Sequence, residues 1–300
     1  MSHTITSIDL GSNSFRVLHY DCSAHRILNQ FETVVGTADG LAQSGEISQA
    51  ALNRIIQAIQ QAQNLFSFDP TSAIAVTTQA MRKASNAQEI LQQIVDKTGI
   101  SFRIIDGQEE AKLTLLAIQY ALKRENINDE HFILVDIGGG STEIILSSPR
   151  HLYSQSFEMG IITLTQSDNK EQSFKNFCNE VEAFIQHSNV DVSAYNFIST
   201  AGTPTTIAAL KCGLNYETYD SKIINGTCVT LEDCTFYKNL LLNSSAQEAQ
   251  VLVGSGRHEY LESGITIFET LFTLFEQTQS IVFDDGLREG VAINWCLNRN

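Results

Sequence analysis

Proline is scarce in this chain, with three in 300 residues, and there is no low-complexity tract, which leaves little room for disordered linkers. Cations are few as well: 19 Lys and Arg stand against 34 Asp and Glu, a net charge of −15. That balance argues against sequence-independent binding to nucleic acid, which draws on clustered Lys and Arg. It also means that a polyanionic ligand is repelled by the global field, so the cations that meet it must be concentrated near its site. No apolar run is long enough for a transmembrane helix, and none is expected. No secretory leader is expected either, because Asp9 interrupts the first apolar run. The six cysteines (Cys22, Cys178, Cys212, Cys228, Cys234 and Cys296) form no CxxC pair. They read as reduced thiols of a cytoplasmic protein without structural zinc. The histidines, His3 included, show no ligand spacing.

What is present is a hydrophobic content of 43%, ample core for one large or two medium domains. Short strands are expected at 4–10, 14–20 and 25–35, followed by a turn-rich loop at 37–44 and a helix at 48–65 with an apolar face. A strand at 73–76, a helix at 86–98, a strand at 101–105 and a helix from Gly107 to about Leu122 complete a first cycle. Asn86 with Glu89 three residues on has the spacing of a capping box. The polar stretch 123–131 reads as a linker, which divides the chain at 1–124 and 125–300. A second cycle follows: strands at 132–135, 143–147, 153–158 and 196–199, and helices at 172–187, 207–211, 231–243, 260–278 and 287–297. The last helix is a candidate to pack back on the first domain. Strand clusters followed by alternating helices and strands, twice over, favour a two-domain α/β protein.

One device occurs twice. Asp9-Leu10-Gly11-Ser12-Asn13-Ser14 and Asp136-Ile137-Gly138-Gly139-Gly140-Ser141-Thr142-Glu143 each join two apolar runs, and their leading aspartates lie 127 residues apart. A Gly/Ser turn lets backbone N–H groups approach a phosphate with no side chain in the way. The neighbouring carboxylates, Asp9 and Asp136, suit a Mg²⁺ ion that shares that phosphate. Either turn alone could be an ordinary hairpin; the pairing with Asp at the same relative position favours phosphate, held in a cleft between two duplicated domains.

An ordered series of motifs extends this reading. IDLGSNSFR (8–16), ADGLAQSG (38–45), TTQAMRKASN (77–86), IIDGQEEAKL (104–113), VDIGGGSTEI (135–144), MGIITLT (159–165), STAGTPTTIAAL (199–210) and DDGLREGV (284–291) run along nearly the whole chain. Together they resemble the exopolyphosphatase/guanosine-pentaphosphate phosphohydrolase (Ppx/GppA) family of the actin/acetate-kinase/heat-shock-chaperone ATPase superfamily. The resemblance implies an α/β fold of two ribonuclease-H-like domains flanking an interdomain cleft. It implies Mg²⁺ or a similar divalent ion, and hydrolysis of a terminal phosphate from inorganic polyphosphate or pppGpp. In its terms Glu110 is the catalytic base and Asp136 and Glu143 sit with the metal. Gly11, Ser12, Asn13, Ser14, Arg82, Gly138, Gly139, Gly140, Ser141 and Thr142 contact phosphates. No nucleic-acid or membrane partner is implied, and a homodimer is compatible with it.

Plainer readings stand beside these. Glu109-Glu110 is also an acidic first helical turn, which favours the helix dipole, and spacing alone prefers that for both residues. Arg82 could be a solvated helix end. Arg288 reads as structural, either a surface charge or a partner of a nearby Asp that fixes the last helix. The turn at 201–206 resembles the superfamily's nucleotide site and reads as a residual structural loop. Two departures from the family pattern matter. Many members carry Arg where this chain has Gly36-Thr37-Ala38-Asp39-Gly40-Leu41, so one phosphate-binding cation is absent or supplied elsewhere. Longer members add helical C-terminal domains, and without them processive action on long chains is not expected. The alternatives are a non-catalytic polyphosphate or (p)ppGpp sensor, and an ATPase or kinase of the same superfold.

Overall fold

A computed structural model describes residues 4–128, 130–254 and 258–299. His3, and Asp129 within the polar 123–131 stretch, lie outside the described residues. The chain forms two compact units, Met1–Ala117 with Leu287–Asn300, and Ile118–Gly286.

The first unit begins with β1 (Thr4–Leu10), β2 (Ser14–Asp21) and β3 (Arg26–Val34), a meander of antiparallel strands. After the short α1 (Leu41–Ser44) comes α2 (Gln49–Phe66), which buries Ala51, Leu52, Ile55, Ile56, Ala58, Ile59 and Ala62 at helical spacing. Ser48 caps it by accepting from the Ala51 amide. β4 (Ile74–Thr77), α3 (Gln79–Lys83), α4 (Ala87–Thr98), β5 (Phe102–Ile104) and α5 (Gly107–Arg124) follow, and the unit ends at Ala117 inside α5. The sheet order is β3-β2-β1-β4-β5, with β1, β4 and β5 parallel.

The second unit repeats the plan with β6 (Phe132–Ile137), β7 (Thr142–Ser147) and β8 (Leu152–Phe157), then α6 (Ile161–Gln166), α7 (Lys170–Ser188), β9 (Asn196–Thr200) and α8 (Gly202–Lys211). α9 (Ser221–Ile224), β10 (Thr227–Thr230), α10 (Leu231–Asn243), α11 (Ala246–Val253), α12 (His258–Leu274) and β11 (Gln279–Val282) complete it. Its sheet order is β10-β11-β9-β6-β7-β8. Read from the third strand inward, β8-β7-β6-β9-β11 matches β3-β2-β1-β4-β5 strand for strand, with β10 added at one edge. The duplicated α/β arrangement expected from the sequence is therefore present. Its core centres on Phe197, whose ring meets those of Phe268, Phe272 and Phe275 at 5.8, 5.1 and 5.4 Å.

The final helix, α13 (Leu287–Leu297), belongs to the first unit and packs against β1 and β2. Its position depends on Gly290, where an added Cβ would overlap the backbone of Leu113. Arg288 is not a surface charge: it is 3% exposed, and its Nε donates to Glu289 Oε1 at 2.6 Å. Ser7 Oγ donates to the Arg288 carbonyl at 2.7 Å. Asp285 instead takes both terminal nitrogens of Arg124, at 3.0 and 2.8 Å.

Two further expectations are corrected. Asn86 precedes α4 but makes no cap hydrogen bond. Its amide is spent on Ile47, accepting from that residue's N–H at 2.9 Å and donating to its carbonyl at 3.0 Å. Nor are all cysteines reduced: Cys22 and Cys296 form a disulfide, with Cα atoms 5.5 Å apart. Their 274-residue separation hid a contact that exists only because α13 lies beside the end of β2.

Candidate active site

In the first unit the parallel strands end in register. Leu10 pairs with Thr77, and Thr77 with Ile104, the last residues of β1, β4 and β5. Everything the sequence marked in this half leaves that carboxyl edge, where open α/β sheets bind ligands: the Gly11–Ser14 turn, Arg82 on α3, and Glu110 on α5. Thr77 Oγ1 donates to the Leu10 carbonyl at 2.7 Å, which ties the end of β4 to the start of the turn.

The turn closes with Gly11 N–H donating to Ser14 O at 2.9 Å. Its other carbonyls are taken from behind. Ala38 N–H donates to Ser12 O, and Val35 and Gly36 N–H both donate to Asn13 O, each at 2.9 Å. A trans peptide points its C=O and the next N–H in opposite directions. Capturing the Ser12 carbonyl therefore turns the Asn13 amide the other way, and the amides of Ser12 and Asn13 donate to no protein acceptor among the described residues. Two buried polar atoms beside this turn, Asn13 Oδ1 and Thr37 Oγ1, also have no hydrogen-bond partner. Such atoms are rare in native structures without a ligand or water to meet them.

The second unit repeats the construction. Gly138 N–H donates to Ser141 O at 2.9 Å. Ile161 N–H donates to Gly138 O at 3.0 Å, Ile162 N–H to Gly139 O at 2.8 Å, and Thr163 Oγ1 to Gly140 O at 2.8 Å. The amides of Gly139 and Gly140 are left without a protein acceptor among the described residues. In both units the backing comes from the segment that follows the third strand. Thr142 Oγ1 fixes that segment by donating to the Met159 carbonyl at 2.6 Å. Gly160 fits against the turn so closely that an added Cβ would come within 2.6 Å of Gly139 and Gly140 backbone atoms.

The copies differ in charge. Asp9 pairs across β1 and β2 with Arg16, whereas Asp136 pairs across β6 and β7 with Glu143. Directly opposed residues of antiparallel strands share a face. The second copy thus places two carboxylates side by side, with Glu143 only 2% exposed and Oε1 accepting from Ser156 Oγ at 2.6 Å. Hard oxygen donors of this kind suit Mg²⁺, which takes one or two carboxylates and keeps several waters. In the first copy the Arg16 guanidinium pairs with Glu32 on β3, Nε to Oε2 at 3.3 Å.

Glu110 and Glu109 are separated by their partners. Glu110 is 9% exposed, and Arg82 Nη1 donates to its Oε2 at 2.9 Å and to the Ile105 carbonyl at 2.6 Å. Arg82 is thus not a solvated helix end; among the described residues its Nε and Nη2 donate to no protein acceptor. Glu109 faces outward and takes both terminal nitrogens of Arg103 at 2.6 Å. The hydrogen bonds from Arg103 hold the Glu109 carboxyl below its ordinary range.

Sequence reasoning missed the backing residues. Gly160 and Thr163 lie inside a quoted motif, MGIITLT, without a role attached. Arg54 on α2 carried no signal: it reaches Val35 O, Gly36 O and Asp39 from an otherwise ordinary amphipathic helix. Thr205 and Thr206 hydroxyls donate back to the carbonyls of Ala201 and Gly202 at 2.8 and 2.6 Å.

A family model described as the Ppx/GppA phosphatase family matches residues 21–299, beginning just after the first turn. A Haemophilus influenzae protein named "Putative exopolyphosphatase" is 24% identical over 99% of this chain and 92% of its own length. A guanosine-5'-triphosphate,3'-diphosphate pyrophosphatase of Pseudoalteromonas atlantica is 27% identical over 97% of this chain, which spans 59% of that protein's length. The crystal structure of the Aquifex aeolicus Ppx/GppA family member matches with a TM-score of 0.71 and 25% identity, covering 99% of this chain and 98% of that one.

Proposed function

Because this chain belongs to the Ppx/GppA phosphatase family, we propose that it is a phosphoanhydride hydrolase that releases the terminal phosphate of inorganic polyphosphate or pppGpp. The observation that carries this reading is the repeated turn whose carbonyls are held from behind while the amides of Asn13, Gly139 and Gly140 meet no protein acceptor among the described residues. Preorganised N–H donors of this kind bind phosphate oxygens and stabilise the charge that develops on them during transfer.

Phosphoryl transfer to water needs positioned phosphates, charge neutralisation and an oriented nucleophile. The amides of Ser12 and Asn13, and those of Gly139 and Gly140, bind phosphate oxygens. Arg82, anchored to Ile105 O and Glu110, directs its remaining N–H groups to the same kind of oxygen. The Glu110 carboxylate accepts the proton of the attacking water. The water oxygen bonds to the terminal phosphorus, the bridging P–O bond breaks, and the leaving oxygen departs with the electron pair. Asp136 and Glu143 are the residues that would hold a divalent cation. Such an ion neutralises charge on the phosphate oxygens when bound.

The test is phosphate release measured in parallel on long-chain polyphosphate, tripolyphosphate, pppGpp and ATP, each with Mg²⁺ and with EDTA. Release from a polyphosphate or pppGpp that EDTA abolishes is the expected result. Turnover of ATP alone would move the chain to the ATPase or kinase class, and binding of pppGpp without turnover would make it a sensor.

A further inference from the structure

The segment 36–41 carries no cation of its own, yet a guanidinium stands against it. Arg54, in the second turn of α2, donates Nε to the Val35 carbonyl at 2.6 Å and Nη2 to the Gly36 carbonyl at 3.1 Å. The same Nη2 donates to Asp39 Oδ2 at 2.6 Å. One planar fork thus joins three acceptors within five consecutive residues, an arrangement a point-charge ammonium cannot reproduce. Gly36 makes it feasible. It has φ +55°, and a Cβ there would overlap the Asp39 carboxylate, so a side chain at this position would push Asp39 away from Arg54.

The clamped residues are the ones that back the phosphate turn. Val35 and Gly36 amides hold Asn13 O, and the Ala38 amide holds Ser12 O. Resting on the phosphatase reading above, we infer that Arg54 is a positioning residue for phosphate transfer: by fixing Val35–Asp39 from α2 it sets the peptide plane of the Ser12 carbonyl and hence the direction of the Asn13 amide. Arg54 touches no part of the turn itself. Its effect passes through two layers of backbone hydrogen bonds. Among the described residues no Lys or Arg donates to the carbonyls of the segment that backs the second unit's turn; there the fit of Gly160 and the Thr142 to Met159 hydrogen bond hold the segment.

The experiment compares wild type, Arg54→Ala, Arg54→Lys and Asp39→Asn. Phosphate release from inorganic polyphosphate is measured below the melting transition, and backbone amide NMR shifts of Ser12 and Asn13 are recorded without substrate. Both Arg54 variants are expected to lose kcat on the order of ten- to a hundredfold, since small misplacements of catalytic donors have effects of that size. The Ser12 and Asn13 shifts are expected to move in both. Arg54→Lys is the deciding variant, because it keeps the charge and loses the fork. If Arg54→Lys retains wild-type kcat while Arg54→Ala raises KM, Arg54 contacts phosphate directly and the clamp is overturned. Unmoved amide shifts with wild-type kinetics overturn it as well. If neither Arg54 variant folds, Asp39→Asn decides: a smaller loss of kcat with moved shifts supports the clamp, and wild-type behaviour overturns it. If the wild-type protein releases no phosphate from any substrate, the phosphatase reading fails, and the amide shifts alone decide whether Arg54 sets the turn.

Discussion

Glu109 and Glu110 are neighbours on α5 with separate partners. Glu109 sits in an exposed fork-to-fork pair with Arg103, while Glu110 is buried beside Arg82. Successive helical residues point about 100° apart, so each can answer to a different side of the helix. Arg103 lowers the pKa of Glu109 in the folded state. A carboxyl with a depressed folded pKa contributes stability that is present above its unfolded pKa and is lost as pH falls through the folded value. Glu109→Gln should therefore destabilise the protein at neutral pH by less than about 1 kcal/mol, given the solvent screening of an exposed pair. The deficit should close in acid, where the wild-type carboxyl is protonated too. Denaturant unfolding of both proteins across that range checks this; a deficit that is the same at neutral and acid pH would assign the loss to something other than the ion pair. In the sequence this division was not visible, because an acidic first turn fits both residues. It becomes visible only when β5 brings Arg103 to one side and α3 brings Arg82 to the other.

At the scale of elements, the two turns were legible and their supports were not. Asp, Gly and Ser between apolar runs specify strand, turn and strand locally, and the spacing repeats. The supports are tertiary: Val35–Ala38 and Ile161–Thr163 reach the turns only after the third strand of each unit has folded back. Asn86 shows the same limit in the other direction. Its spacing to Glu89 satisfied a local rule, but the Ile47 backbone competes for the same amide and wins both of its hydrogen bonds. The four-residue strands β10 and β11 were too short to carry a periodicity. Gly160 offers the sharpest test of the support. A Cβ there meets backbone, which cannot swing aside as a flexible side chain would. Gly160→Ala should keep the fold and lose phosphate release on the order of a hundredfold, because the amides of Gly139 and Gly140 are pushed out of place. Circular dichroism with steady-state kinetics measures both, and full activity in a folded Gly160→Ala protein would show that the turn tolerates displacement.

Across the whole molecule, each unit carries one copy of the same sheet and the same turn, and the copies have diverged in charge. Asp9 faces Arg16 in one, Asp136 faces Glu143 in the other. The first unit is built from both ends of the chain, and the Cys22–Cys296 disulfide joins them across 274 residues. Closing so long a loop constrains the unfolded chain, and disulfides typically contribute on the order of 2–5 kcal/mol. Cys22→Ser, or reduction of the wild type, should lower the melting temperature by a matching amount. Calorimetry with and without reductant reads it, and an unchanged transition would mean that the bond contributes nothing to stability in solution. Among the free thiols, burial pushes Cys234 up to about 12, while Cys212 and Cys228 are exposed. Alkylation of the native protein should therefore label those two and spare Cys234. In the proposed reaction one carboxylate, that of Glu110, accepts the proton of the attacking water. Single-turnover phosphate release from polyphosphate or pppGpp should be slowed on the order of a hundred- to ten-thousand-fold by Glu110→Gln, the usual worth of a general base. Substrate affinity should be retained, and Glu109→Gln should turn over nearly as wild type. Equal, mild losses in the two variants would contradict Glu110 as the base and leave the pair an acidic helix start.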